Sequence, residues 1–85
     1  MIKTHEMNLN STSYNALLNS NSAIILDDSE REISENDYVL FKQVETIGEE
    51  TQETGLYMFL KIRRVVSDHA GLNEGYIMIT YDKID

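Results

Sequence analysis

The chain has 85 residues, 15 acidic and 7 basic, for a formal net charge of −8 at neutral pH. That length fits one small domain with a thin core, and a field of that sign opposes tight nonspecific binding to nucleic acid or anionic membrane unless a basic patch is local. Cysteine and proline are absent, which excludes disulfides, thiol catalysis, zinc ribbons and a proline-rich linker. The start, Met1-Ile2-Lys3-Thr4-His5-Glu6, has no apolar run after its lysine. No stretch approaches the roughly 18 apolar residues that cross a bilayer. The expectation is a cytoplasmic protein without a membrane segment.

In chain order, Met7–Leu9 is a short extended start. Asn10 or Ser11 caps a helix, because their side chains accept from the free N–H groups of a first turn. Tyr14, Leu17 and Leu18 follow at i, i+3 and i+4 and form its apolar face. Asn19-Ser20-Asn21-Ser22 ends it by competing for backbone hydrogen bonds. Ala23–Leu26 is a short apolar run, expected as a buried strand. Asp27–Asp37 holds six carboxylates against Arg31 alone and is expected as a solvated loop. Tyr38–Val44 is a strand, and Val44–Gly55 a polar, mobile connection with Glu45, Glu49, Glu50 and Glu53. Leu56, Met58, Leu60 and Ile62 alternate with Tyr57, Phe59, Lys61 and Arg63, the period of a strand with one face in the core. Ser67–Gly75 is a turn region, and Tyr76–Tyr81 the last strand. One helix and four or five strands predict an α+β, mostly β fold: a small curled sheet or β-barrel, with the helix at one end. All 85 residues form a single domain.

Chemistry-bearing residues are sparse. His5-Glu6 lacks the second histidine of HExxH. His69, beside Asp68, is the other histidine, and both histidines are expected at the surface or as caps, because a metal needs three or four convergent ligands. The acidic loop lacks the ligand spacing of a calcium site. No nucleophile elbow, Walker A or GxGxxG pattern occurs. Lys61, Arg63 and Arg64 form the one basic cluster, and Lys61 and Arg63 share a strand face with Tyr57 and Phe59. Such a face either stacks bases and holds phosphates, or lies solvated with salt bridges to Glu45, Glu49, Glu50 or Glu53.

The order of marks resembles one family. His5-Glu6-Met7 precedes a strand, and a helix with Tyr14 and Leu17 follows. Glu30-Arg31-Glu32-Ile33 and a turn at Asn36-Asp37 come before the next strand. Thr54-Gly55, a long strand, and Gly71-Leu72 with Gly75-Tyr76 complete the series. This resembles the bacterial and phage DUF3850 proteins of the ASCH group, whose fold is PUA-like, over nearly the whole chain. The resemblance implies a cleft in which a glycine, lysines, a glutamate and an arginine hold RNA or a nucleotide, and in some relatives perform hydrolysis. Those positions fall here on Ser20, Asn21, Ser22, Ile25 and Asp27. Ile25 cannot exchange a proton, and Asp27 reverses the charge that meets a phosphate. The expectation is therefore a binding module with a degenerate motif, no catalytic residue, no cofactor and no metal. Its ligand is RNA or a nucleotide, through Arg31, Tyr57, Phe59, Lys61, Arg63 and Arg64. The alternative is an acidic surface for a basic protein partner. The chain is expected as a monomer or weak dimer.

Overall fold

Apolar side chains alternate along three long central strands, and this period of two decides which face is wet. The computed structural model describes residues 1–26, 32–67, 71–72 and 75–84. Its elements are β1 (Thr4–Leu9), α1 (Ser11–Leu18), β2 (Ser22–Leu26), β3 (Tyr38–Ile47), β4 (Glu50–Val66) and β5 (Tyr76–Ile84). They form one five-stranded sheet in the order β1-β3-β4-β5-β2. β1 runs parallel to β3, and the remaining neighbours are antiparallel. The fold is α+β and mostly β. The sheet is not closed, because β1 and β2 both remain edges.

One face is the core. Val39 and Phe41 of β3, Met58, Leu60 and Ile62 of β4, and Ile77, Ile79 and Tyr81 of β5 are buried there with Ala23 and Ile25. Tyr14 covers it from α1, Leu17 packs against it, and Ile33 joins it. The helix lies between the two edges in sequence, so its short length carries the chain from one edge of the sheet to the other. Asn10 caps it, with its side-chain oxygen accepting from the Ser13 N–H at 2.8 Å. An Asn10→Ala variant is expected to lose about 1 kcal/mol of stability in urea unfolding. Leu18 sits outside the buried core and is exposed, whereas Tyr14 and Leu17 pack into it.

The structure corrects several expectations. Ala23–Leu26 is not a fully buried strand: β2 is an edge, and Ile24 is exposed between buried Ala23 and Ile25. Val44–Gly55 is not an irregular connection. β3 runs on to Ile47, β4 starts at Glu50, and Gly48-Glu49 joins them as a two-residue hairpin loop. Gly48 adopts φ +64°, the geometry of a glycine-first hairpin turn. Ladder hydrogen bonds hold this arm in spite of its polar side chains. Asp37 is not solvated either but almost fully buried.

Two irregularities in β4 shape the open face. Between Lys42↔Tyr57 and Val44↔Glu53, β3 contributes Gln43 alone while β4 contributes Thr54, Gly55 and Leu56. The Thr54 hydroxyl donates to the Gln43 side-chain oxygen at 2.8 Å, which satisfies a buried amide. Leu56 is thereby turned out of the core and exposed. Between Ile62↔Tyr81 and Arg64↔Thr80, Arg63 is an extra residue without a counterpart in β5.

Candidate functional site on the open sheet face

Alternation places Tyr38 and Leu40 of β3, Tyr57, Phe59 and Lys61 of β4, and Asp82 and Ile84 of β5 on the face opposite the core. The rings of Tyr38 and Phe59 stack at 5.2 Å with 5° between their planes. Tyr57 continues the line and is 68% exposed. Lys61 stands opposite Tyr38 in the register. A strip of aromatic rings therefore leads along β4 into the basic cluster.

The bulge then does what alternation alone cannot. In a regular strand, Arg63 and Arg64 would point to opposite faces. With Arg63 as the extra residue, Ile62 is buried, Arg63 and Arg64 are both exposed, and Val65 returns to the core. Bulges re-aim side chains in this way beside functional sites. The two arginines line a pocket of about 430 Å³ with Asn21, Thr80, Tyr81 and Asp82. Arg63 gives one nitrogen, Nη1, to both carboxylate oxygens of Asp82, at 3.3 and 3.4 Å. Both side chains are more than half exposed, so the pair contributes little to stability. Arg64 has no ion-pair partner among the described residues. The expected bridges from Lys61 and Arg63 to Glu45, Glu49, Glu50 or Glu53 do not form. Those glutamates lie on the β3–β4 arm, beyond the reach of the basic end of β4.

The described positions that the resemblance aligns with a cleft motif, Ser20, Asn21, Ser22 and Ile25, do not converge. The Ser20 hydroxyl donates to the Ala16 carbonyl at 2.9 Å and ends the helix. Ile25 is core. Ser22 stands opposite Thr80. Asn21 does reach the pocket, with its carbonyl accepting from the Tyr81 N–H at 2.9 Å. The Tyr81 hydroxyl donates to the Leu17 carbonyl at 3.0 Å, and burial pushes its acidity down and its pKa up. Asp27, Arg31, Asp68 and His69 lie outside the described residues.

Sequence reasoning missed a buried polar pair. His5 is buried, not at the surface, and its Nε2 lies 2.9 Å from Asp37 Oδ2. Asp37 also accepts from the backbone N–H groups of Lys3, at 3.1 Å, and Ser34, at 3.0 Å. An ionised carboxylate only accepts, so Nε2 carries the proton. Burial pushes the Asp37 carboxyl up, but the His5 hydrogen bond, the two N–H groups and attraction to His5 outweigh it and hold it below 3.8. The signal for this pair was the Asn36-Asp37 turn. Asn36 has φ +74°, which asparagine tolerates better than most residues.

Lys42 occupies the other end of the face, 3.3 Å from Glu53 and 3.6 Å from Glu6. Its hydrogen bond to Glu53 and the attraction of both carboxylates raise its pKa. With Leu40, Glu53, Gly55, Leu56 and Tyr57 it lines a pocket of about 210 Å³.

The fold and this face define a class, an α+β domain presenting one open, partly aromatic sheet surface. A scan against models of known protein families finds no match to the chain, and a search of curated proteins likewise finds none. No helix among the described residues is long and apolar enough to cross a membrane.

Proposed function

We propose that the chain is a small cytoplasmic binding module for single-stranded RNA or a nucleotide, of the ASCH, PUA-like kind that its order of sequence marks resembles. The observation that carries this reading is the Tyr38–Phe59 stack on an open face, continued by Tyr57 and ending in Lys61, Arg63 and Arg64. Aromatic faces accept bases of any sequence, and cations track the backbone. The module acts by binding rather than catalysis, since Asn21, Ser22 and Ile25 supply no acid–base pair.

The test is fluorescence anisotropy with a short single-stranded RNA at low and physiological salt. Three phosphate contacts predict a log–log salt slope near −2, so affinity falls roughly twentyfold from 50 to 200 mM salt. Replacing Lys61, Arg63 and Arg64 together by alanine is expected to abolish binding and its salt dependence. Tyr57→Ala is expected to cost about 1–3 kcal/mol of binding free energy. Absence of binding at low salt overturns the reading.

A second reading has its own observation. The β3–β4 arm carries Glu45, Glu49, Glu50 and Glu53 with no lysine or arginine between Gln43 and Leu60. Exposed Ile47 and Leu56 lie on the same arm. A basic protein segment with an apolar side chain suits that surface. Binding of such a segment, lost in Glu49→Lys/Glu50→Lys but kept in the triple alanine variant, would establish it.

A further inference from the structure

We propose that the pocket at the β4 bulge is a phosphate-monoester site, the place where the terminal phosphate of a nucleotide or RNA end is held. This rests on the open face being a nucleotide-binding surface, and it adds the ligand group and the residues that select it.

Beside Asp82, the pocket is lined by the donor side chains of Arg63, Arg64, Thr80 and Asn21. Arg64 offers a planar fork of N–H groups that suits phosphate oxygens, and no carboxylate among the described residues engages it. Thr80 stands directly opposite Arg64 in the ladder, and Ser22 opposite Thr80, so a guanidinium and two hydroxyl residues lie in one row across β4, β5 and β2. Asn21 closes the end of that row and lines the pocket. Hydroxyl and amide groups donate to phosphate without adding charge. Two arginines and one aspartate leave the lining with a formal charge of +1, a local exception on a chain of −8.

Asp82 sets the affinity. It occupies Arg63 through a single nitrogen in a long, exposed contact, which is weak. A phosphate dianion accepts from more donors than this carboxylate does, and takes Arg63 as a second guanidinium. A monoester is favoured over an internal diester because it brings the second negative charge and a third free oxygen. The pocket also adjoins the basic end of the aromatic strip, at Lys61 and Arg63.

The experiment is a two-dimensional ¹H–¹⁵N NMR titration of the full chain with AMP, adenosine and inorganic phosphate in parallel. AMP is expected to shift the Arg64 side-chain and Thr80 and Asn21 backbone signals, and adenosine to leave them in place. Inorganic phosphate shifting the same signals with equal affinity makes the site one for phosphate of any origin. AMP binding tighter by about tenfold or more assigns it to nucleotides, with the base adding its stacking contribution. Arg64→Gln and Thr80→Val are expected to remove the response. Asp82→Asn, which frees Arg63, is expected to tighten AMP at least about threefold. Glu6→Gln makes the same change in net charge on an exposed residue outside the pocket, and is expected to leave affinity unchanged. AMP that fails to move Arg64 and Thr80, or Asp82→Asn and Glu6→Gln acting alike, overturns the proposal. The two readings fail separately. RNA binding to the face without a phosphate response at the pocket removes the pocket alone. A phosphate response without RNA binding removes the RNA surface alone.

Discussion

Asp37→Ala is expected to destabilise the fold by about 3 kcal/mol, because three donors lose their acceptor inside the protein. The carboxylate is 2% exposed and gathers His5 Nε2 with the Lys3 and Ser34 N–H groups. It thus ties the residue preceding β1, β1 itself and the turn before β3 at the point where their parallel ladder begins. The Tyr38 N–H donates to the Lys3 carbonyl at 2.8 Å, and the Ile62 N–H to the Asp37 carbonyl, also at 2.8 Å. Stability for a chain of this size is on the order of 4–13 kcal/mol, so the loss is a large fraction of it. Asp37→Asn keeps one acceptor oxygen and is expected to lose less, about 1–2 kcal/mol.

The same group sets part of the acid limb. Its folded pKa lies below the unfolded value of 3.8, so its contribution is complete above 3.8. It is lost as the pH falls through the lower folded value. Urea midpoints of the wild type and Asp37→Asn should therefore converge in strong acid, separate as the pH rises toward 3.8, and keep a constant separation above it. A constant separation from pH 2 to pH 7 would refute this account of the pair.

Phe41→Ala is the second large effect, expected to cost about 3–5 kcal/mol. Phe41 is completely buried at the centre of β3, paired with Met7 on one side and Met58 on the other. Removing the ring takes away its transfer free energy and leaves a cavity among strands whose backbones are locked in register. The two methionines are flexible enough to fill part of that space, which places the expected loss toward the lower end of the range. Thermal and urea unfolding measure it, and a loss under about 1 kcal/mol would mean that the core is not packed as described.

The sequence by itself determined the elements whose signal is local. The alternation from Met58 to Arg63 marked β4 and its buried face, Asn10 marked the helix start, and the β-branched and aromatic runs marked β3 and β5. It also places Ile25 and Asp27 where the proteins it resembles carry a glutamate and an arginine. The arm from Val44 to Gly55 escaped notice because its strands are held by backbone hydrogen bonds, which side-chain polarity does not reveal. His5 and Asp37 are 32 positions apart, and only the parallel pairing of β1 with β3 brings them together and buries both. The meeting of Arg63, Arg64, Thr80 and Asn21 was equally hidden. It depends on one unpaired residue in the β4–β5 ladder and on β2 joining the far edge of the sheet. Ladder register is a property of two strands at once, so neither strand's sequence alone contains it.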